Sequence, residues 1–303
     1  MTPVLSVRGL VKYYGRVHAA NNISFDLFPG QVCGILGPNG SGKTTTLSII
    51  MGNVAPQAGE FSWNIMGKKN DFPNLHIGAL IESPNFYPYL SLYRNLQIIA
   101  TIKGLDYSDI NRVLNITGLE ERSSSKYQTL SLGMKQRLGL AATLLGDPEV
   151  LVLDEPANGL DPEGIADIRR IILDEADKGK TILMASHILD EVEKVCSHVV
   201  VLKEGHVIGS GPVHELLEPY DLISVRCASL EKMVKLAEEL PGVHNHKVEN
   251  GTITLRVDES LDPGKINMLA HENGIILTHL EKRKPTLESQ FLALVREENQ
   301  GND

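Results

Sequence analysis

Apolar and polar positions change rhythm several times along this chain, and each change marks a predicted element. Val4 to Arg8 and Ile23 to Phe28 alternate as half-buried strands do. Pro29-Gly30 turns the chain into the apolar run Val32 to Leu36, a strand buried on both faces, with a helix over Thr44 to Ile50 behind it. Glu60 to Ile65 and Ile77 to Ile81 read as further strands. From Ser91 to about Ile116 the period is helical, broken near Gly104 and restarted by a capping Ser108 or Asp109. Ser131 to Leu145 is a helix and Val150 to Leu153 a short buried strand. A helix from Pro162 to Asp177, a strand from Thr181 to Ala185, a helix from Leu189 to Cys196 and a strand pair around Lys203 to His206 come next. Strands alternating with helices predict an α/β unit with a mainly parallel sheet covered on both faces.

Beyond Gly211-Pro212 the pattern becomes strand (Leu222 to Arg226), helix (Leu230 to Leu240), then strands Val243 to Val248 and Thr252 to Val257 around Asn250-Gly251. Asn-Gly between alternating segments is a hairpin signal. A helix over Ile266 to Glu272, a strand over Ile275 to Leu280 and a last helix over Leu287 to Val295 complete the order. βαββαβ is the order of a small α+β, ferredoxin-like unit. The predicted boundary lies near Pro219, giving residues 1–218 and 219–303. The tail from Glu297 to Asp303 is polar and acidic and is expected to fray.

The 303 residues are 42% hydrophobic and 22% charged, an ordinary globular composition with room for two domains. A net charge of -9 implies no pervasive basic surface, so a nucleic-acid partner is not expected. Cys33, Cys196 and Cys227 are scattered, which predicts a reducing compartment and no disulfide framework. The start lacks the pattern of a secretion signal, and no apolar stretch approaches the roughly 20 residues of a membrane-spanning helix. Any membrane-embedded partner is therefore expected to be another chain. His244 and His246 are spaced to share one face of a strand, but no third metal ligand is evident. Trp63, Met233 and Leu236 read as packing residues.

Candidate chemistry begins at Gly37-Pro38-Asn39-Gly40-Ser41-Gly42-Lys43-Thr44, which fits the phosphate-cradling Walker A pattern between a strand and a helix. Glycines let successive N–H groups turn inward, and the helix start adds its free donors and positive dipole end. Lys43 supplies a mobile charge, the Thr44 hydroxyl a ligand for Mg²⁺, and Thr45 continues the cradle. A second motif is the strand Val150 to Leu153 ending in Asp154-Glu155. Ligands of open α/β sheets bind at the carboxyl ends of strands, so both carboxylates are expected beside the loop. There Asp154 suits holding Mg²⁺ and Glu155 suits polarising an attacking water. Proximity to Lys43 and Mg²⁺ is expected to keep both ionised.

Between these motifs stands Leu130-Ser131-Leu132-Gly133-Met134-Lys135-Gln136-Arg137. Here the chain resembles the nucleotide-binding subunits of ATP-binding cassette (ABC) transporters, whose signature usually reads LSGGQ. The resemblance covers roughly residues 4–215 and implies a P-loop cassette, a RecA-like core plus a helical lobe at about 82–146. It implies ATP and Mg²⁺ as ligands, and Ser131, Gly133 and Met134 as contacts to the γ-phosphate held by an opposite subunit. Asn158-Gly159-Leu160-Asp161 resembles the loop joining the two subunits. His187 resembles the switch histidine near the γ-phosphate, and Tyr14 the aromatic that stacks on adenine, with Tyr13 beside it as an alternative. Glu82 stands where the family usually has Gln, close to the metal. Leu132 and Met134 depart from the usual signature Gly and Gln.

SLGMKQR and Ile81-Glu82-Ser83-Pro84 with Tyr87-Pro88 resemble the branch tied to peptide-antibiotic export and self-resistance. Pro285-Thr286-Leu287-Glu288 with Phe291 resembles the closing motif of its accessory domain. The resemblance implies an ATPase on the inner face of the cell membrane. It would act as a homodimer or heterodimer with an integral membrane permease, which docks on the lobe near Phe86, Tyr87, Tyr89 and Leu90. Those four residues serve equally well as the lobe's own small core. A soluble ABC ATPase acting on nucleic acid or ribosomes, and a regulatory module that holds ATP without turnover, are the alternatives. The single cassette and the negative charge speak against the first, and Glu155 with His187 against the second.

Overall fold

The computed structural model describes residues 1–65, 68–70, 76–82, 85–216, 220–258, 260–284 and 287. Two compact units divide between Val213 and His214. The predicted boundary residue Pro219, and the last helix and closing motif apart from Leu287, lie outside the described residues.

The centre of the first unit is a six-stranded sheet. In spatial order it runs β10 (His206–Pro212), β9 (His198–Lys203), β3 (Val32–Leu36), β8 (Thr181–Ser186), β7 (Val150–Asp154) and β6 (Ile77–Leu80), parallel except for β10. β3, β7 and β8 are buried at every position, which explains their unbroken apolar runs. β8 hydrogen-bonds on one side to β3 and on the other to β7. Three strand ends therefore open side by side.

The other early strands do not join this sheet. β1 (Leu5–Tyr14), β2 (Val17–Leu27), β4 (Ala58–Ile65) and β5 (Lys68–Asn70) make a separate antiparallel sheet in the order β2-β1-β4-β5. The reason is connectivity. Only Gly15-Arg16 separates β1 from β2, and a two-residue link permits an antiparallel hairpin but no crossover to a parallel neighbour. Both strands run further than their alternation predicts. Register shifts between Val7 and Leu10 and between Leu10 and Lys12 interrupt the period, so the second half of β1 and the first half of β2 lose the two-residue pattern. Trp63 on β4 is fully buried, and its indole N–H donates to the Ile50 carbonyl at 2.8 Å, tying the two layers.

Helices α1 (Lys43–Ile50), α2 (Leu92–Lys103), α3 (Asp109–Ile116), α4 (Leu132–Leu144), α5 (Pro162–Asp177) and α6 (Leu189–Val195) complete the unit, and the short α7 (Val213–Leu216) spans the division, with all but Val213 in the second unit. In the lobe, Phe86 is buried against Tyr127, with ring centroids 5.2 Å apart, whereas Tyr87 and Tyr89 are exposed. The aromatic cluster is thus divided between core and surface. Buried Asn95 fixes this loop by accepting from the Tyr87 N–H and donating to the Tyr87 and Ser91 carbonyls.

In the second unit, β11 (Tyr220–Cys227), α8 (Leu230–Glu239), β12 (Val243–Glu249), β13 (Thr252–Asp258), α9 (Pro263–Glu272) and β14 (Leu277–Arg283) form an antiparallel sheet in the order β12-β13-β11-β14. With β13 inserted between β11 and β12, this is the split-βαβ arrangement. Ile223, Val225, Met233, Ile253, Leu255 and Ile266 make its core. Helix α9 starts earlier than its apolar period suggests, because the Asp262 side chain caps it through the Gly264 N–H and Pro263 occupies its first turn. The expectation that His244 and His246 share a face is corrected. A register shift between Val243 and Asn245 separates them: His244 meets Asp258 of β13, while His246 faces Glu238 of α8.

Candidate functional site

The turn from β3 into α1 is possible because of its glycines. At Gly42 the backbone has φ 104, and an added Cβ would lie 2.0 Å from the Ala19 carbonyl oxygen. No other residue tolerates both demands. Lys43, almost fully buried, folds back over this loop and donates to the carbonyls of Gly37 (2.8 Å) and Pro38 (3.2 Å). Its ammonium also sits 3.4 Å from Glu155 Oε1. The Ser41 hydroxyl is buried in the same loop with no hydrogen-bond partner among the described residues.

Glu155 succeeds the end of β7 in a left-handed conformation, φ 48, held by its N–H donating to the Ala185 carbonyl at 3.0 Å. Such strain in a non-glycine residue persists only where the surroundings impose it, and here it aims the carboxylate across the end of β8. There His187 Nδ1 lies 2.7 Å from Glu155 Oε2. An ionised carboxylate only accepts, so in this contact Nδ1 is the donor. Lys43, Glu155 and His187 form one chain of contacts across three strand ends.

Asp154, one residue earlier, is buried. Its carboxyl pKa is raised, first by burial, with Glu155 and Glu82 adding like charge; the Thr44 hydrogen bond and the Lys43 charge oppose this. In the ligand-free protein desolvation thus outweighs the nearby cation, and Lys43 alone does not hold Asp154 within the ordinary carboxylate range. Oδ1 of Asp154 has no partner among the described residues. An orphaned buried carboxylate oxygen beside a threonine hydroxyl fits a hydrated divalent cation in its donor chemistry. Glu82 takes a left-handed conformation, φ 61, and acts on Asp154 through its charge. Among the described residues, no three His, Cys, Asp or Glu side chains cluster closely enough to hold a metal.

A cavity of about 430 Å³ gathers Tyr14, Asn39, Gly40, Gly42, Lys43, Thr44, Thr45, Glu155 and His187. Tyr14 is the aromatic that lines it, whereas Tyr13 packs edge-on against His18 with ring centroids 4.5 Å apart. Val17, Ala19 and Asn158 also line it and are additions to the residues expected from the sequence. Asn158 stands three residues after Glu155, at the start of the loop that ends in Asp161, a usable signal. Ala19 and Val17 arrive from β2 by tertiary folding, with no local signal.

Ser131, Gly133 and Met134 lie elsewhere, in a second depression of about 480 Å³ that also contains Leu160, Asp161 and Gly164. Ser131 caps α4 by accepting from the Met134 N–H at 3.3 Å, and Asp161 caps α5 by accepting from the Gly164 N–H at 2.9 Å. Leu132 is half-exposed and leans on Gly159, where an added Cβ would meet its Cδ2 at 3.3 Å. Among the described residues no lining residue is common to the two cavities, yet Asn158 lines the first and Gly159 to Asp161 the second.

The ABC transporter family matches residues 20–158. The bacitracin transport ATP-binding protein BcrA of Bacillus licheniformis is 35% identical over 302 residues, covering 97% of this chain and 98% of that protein. The chain belongs to the ATP-binding subunits of ABC transporters. The lantibiotic transport ATP-binding protein SrtF of Streptococcus pyogenes is 39% identical over 206 residues, 68% of this chain and 89% of that one. Among solved structures, the ATP-binding subunit of an ABC transporter aligns with a TM-score of 0.63 at 30% identity, covering 70% of this chain and 91% of that chain. An ABC cassette in its ADP conformation aligns with a TM-score of 0.63 at 26% identity, covering 71% and 93%. As an ABC-transporter subunit the chain binds adenine nucleotide, hydrolyses ATP and works with a membrane permease. Among the described residues no helix is long and apolar enough to cross a membrane.

Proposed function

We propose that this subunit powers export of a peptide antibiotic, as its full-length likeness to the bacitracin transport protein suggests. Nucleotide enters the Tyr14–Thr45 cavity with its phosphates on the loop. Lys43 exchanges the Gly37 and Pro38 carbonyls for phosphate oxygens, and Glu155 loses that cation as a partner. Glu155 then accepts a proton from the attacking water, while His187 orients the carboxylate and faces the γ-phosphate. Thr44 and Asp154 would hold Mg²⁺, which would supply neutralising charge to the phosphates when bound. Glu82 modulates that site through its charge.

Two copies, or one copy and a close relative, are proposed to close on each other. Each offers Ser131, Gly133 and Met134 to the nucleotide of the other, and the loop to Asp161 connects the two positions. The observation that carries this reading is the contact chain Lys43–Glu155–His187 in one cavity with the signature helix start in another. A single chain holds both halves, but not facing one another across one pocket. Exposed Tyr87 and Tyr89 are the proposed contact with the permease, and the inner face of the cell membrane is the proposed place of action. Residues 1–218 would be the working cassette and 219–303 an accessory domain.

The test is ATP binding by a Glu155→Gln form, combined with light scattering of the purified protein. Stable dimers with ATP and monomers with ADP are expected. A form that binds ATP and remains monomeric at all concentrations overturns the paired arrangement.

A further inference from the structure

The end of β1 is braced in an unusual way. Lys12 Nζ lies 5.5 Å from the centroid of the Tyr14 ring and donates to the Ala55 carbonyl at 2.7 Å. Ala55 belongs to the segment that leaves the phosphate-loop helix α1. One residue further along β1, the Gln57 side chain accepts from the Tyr13 N–H and donates to the Tyr13 carbonyl, both at 3.1 Å. Gln57 also donates its own backbone N–H to the Val11 carbonyl at 2.8 Å. A side-chain amide thus imitates a neighbouring strand on the side where β1 has run past the end of β4, its other side still paired with β2. Tyr14 itself is half-exposed and lines the nucleotide cavity, whereas Lys12 does not line it. The ammonium thus lies over the ring of a cavity-lining tyrosine without itself being among the lining residues.

We infer that Lys12 is a positioning residue for the nucleobase: its ammonium holds and polarises the Tyr14 ring from behind, so that the opposite face stacks on the base. The inference rests on the reading of this cavity as the nucleotide site. A cation on one face draws π density toward itself, which leaves the other face better suited to an electron-rich purine. Because Lys12 is anchored to Ala55 and Gln57 to Tyr13, the platform is registered against the segment leaving α1. Base and phosphate subsites then keep one spacing. The brace acts on the nucleoside end alone, since Lys12 lies outside the lining of the phosphate loop.

The test compares two probes on the full chain: Mg²⁺-ATP and Mg²⁺-tripolyphosphate, which lacks the nucleoside. Binding is measured by calorimetry for the native protein and for Lys12→Met, Lys12→Arg and Tyr14→Leu. Lys12→Met should weaken ATP about five-fold, the scale of an exposed cation–π contact, and leave tripolyphosphate unchanged. Lys12→Arg, which keeps the cation, should retain most of the ATP affinity. Equal weakening of both probes would make Lys12 a phosphate-steering charge and overturn the inference, as would unchanged ATP binding by Lys12→Met while Tyr14→Leu weakens it. If Tyr14→Leu binds ATP as well as the native protein does, the assignment of the base subsite itself fails. Thermal unfolding of each variant separates these outcomes from loss of fold.

Discussion

The phosphate-loop cavity and the signature depression differ in where their free energy is stored. The first holds a left-handed turn that only glycine permits at Gly42, strained backbone at Glu155, a buried Lys43 and a buried Asp154 with an orphaned oxygen. The second is two ordinary helix starts, α4 and α5, capped by Ser131 and Asp161 from extended backbone. A strained, charged pocket is built in advance because it must hold a polyanion and direct a proton. A capped helix start needs no strain to attract an anion, because its dipole and free N–H groups are present already. The difference teaches that the two surfaces differ in kind, as the proposed pairing requires of a cavity that carries binding and chemistry and a depression that completes the partner's site.

That contrast can be tested by substitution, beginning with the largest effect. Glu155→Gln should lower phosphate release by about 10²- to 10⁴-fold while ATP still binds, as expected for loss of a general base. Gly133→Asp, which adds bulk and negative charge to the helix start, should lower turnover by about 100-fold. Nucleotide affinity of the monomer should be unchanged, as fluorescence titration would show. Parallel loss of affinity would mean that the two cavities are not independent. Gly42→Ala should cost more than about 2 kcal/mol of stability in chemical denaturation, because the new Cβ meets a backbone carbonyl and the left-handed conformation is lost to it. Ser131→Ala should cost about 1 kcal/mol, the ordinary value of a lost cap, in the same measurement. The smallest effect has the opposite sign. Asp154→Asn removes a carboxylate whose charged form burial penalises. It should raise the unfolding midpoint of the nucleotide-free protein by roughly 2 °C and abolish the further rise that Mg²⁺-ATP gives the native protein.

Much of the cavity was legible because its parts are local. Gly37 to Thr44 lie on one turn, and Asp154-Glu155 end one apolar run. The additional lining residues Val17 and Ala19 could not be read, since β2 carries no chemical signature and reaches the loop only through the antiparallel sheet. The same sheet was hidden because register shifts in β1 destroy the period on which strand prediction depends. The pairing of His244 with His246 failed for the same reason, an irregularity that flips one residue of a pair to the other face.

From the sequence alone came the nucleotide-binding loop, the carboxylate pair, the signature helix, most of the order of elements among the described residues, though not the short β5 and α7, and the family. These are set by backbone demands and by hydrophobic periods that act over fewer than about twenty residues. Tertiary structure decided the division of the strands between two sheets, the choice of Tyr14 over Tyr13 as the lining aromatic, and the charge balance at Asp154. It also decided the separation of the signature from the cavity. Each depends on which distant segments exclude water from the same space, and hydrophobic packing is indifferent to distance along the chain.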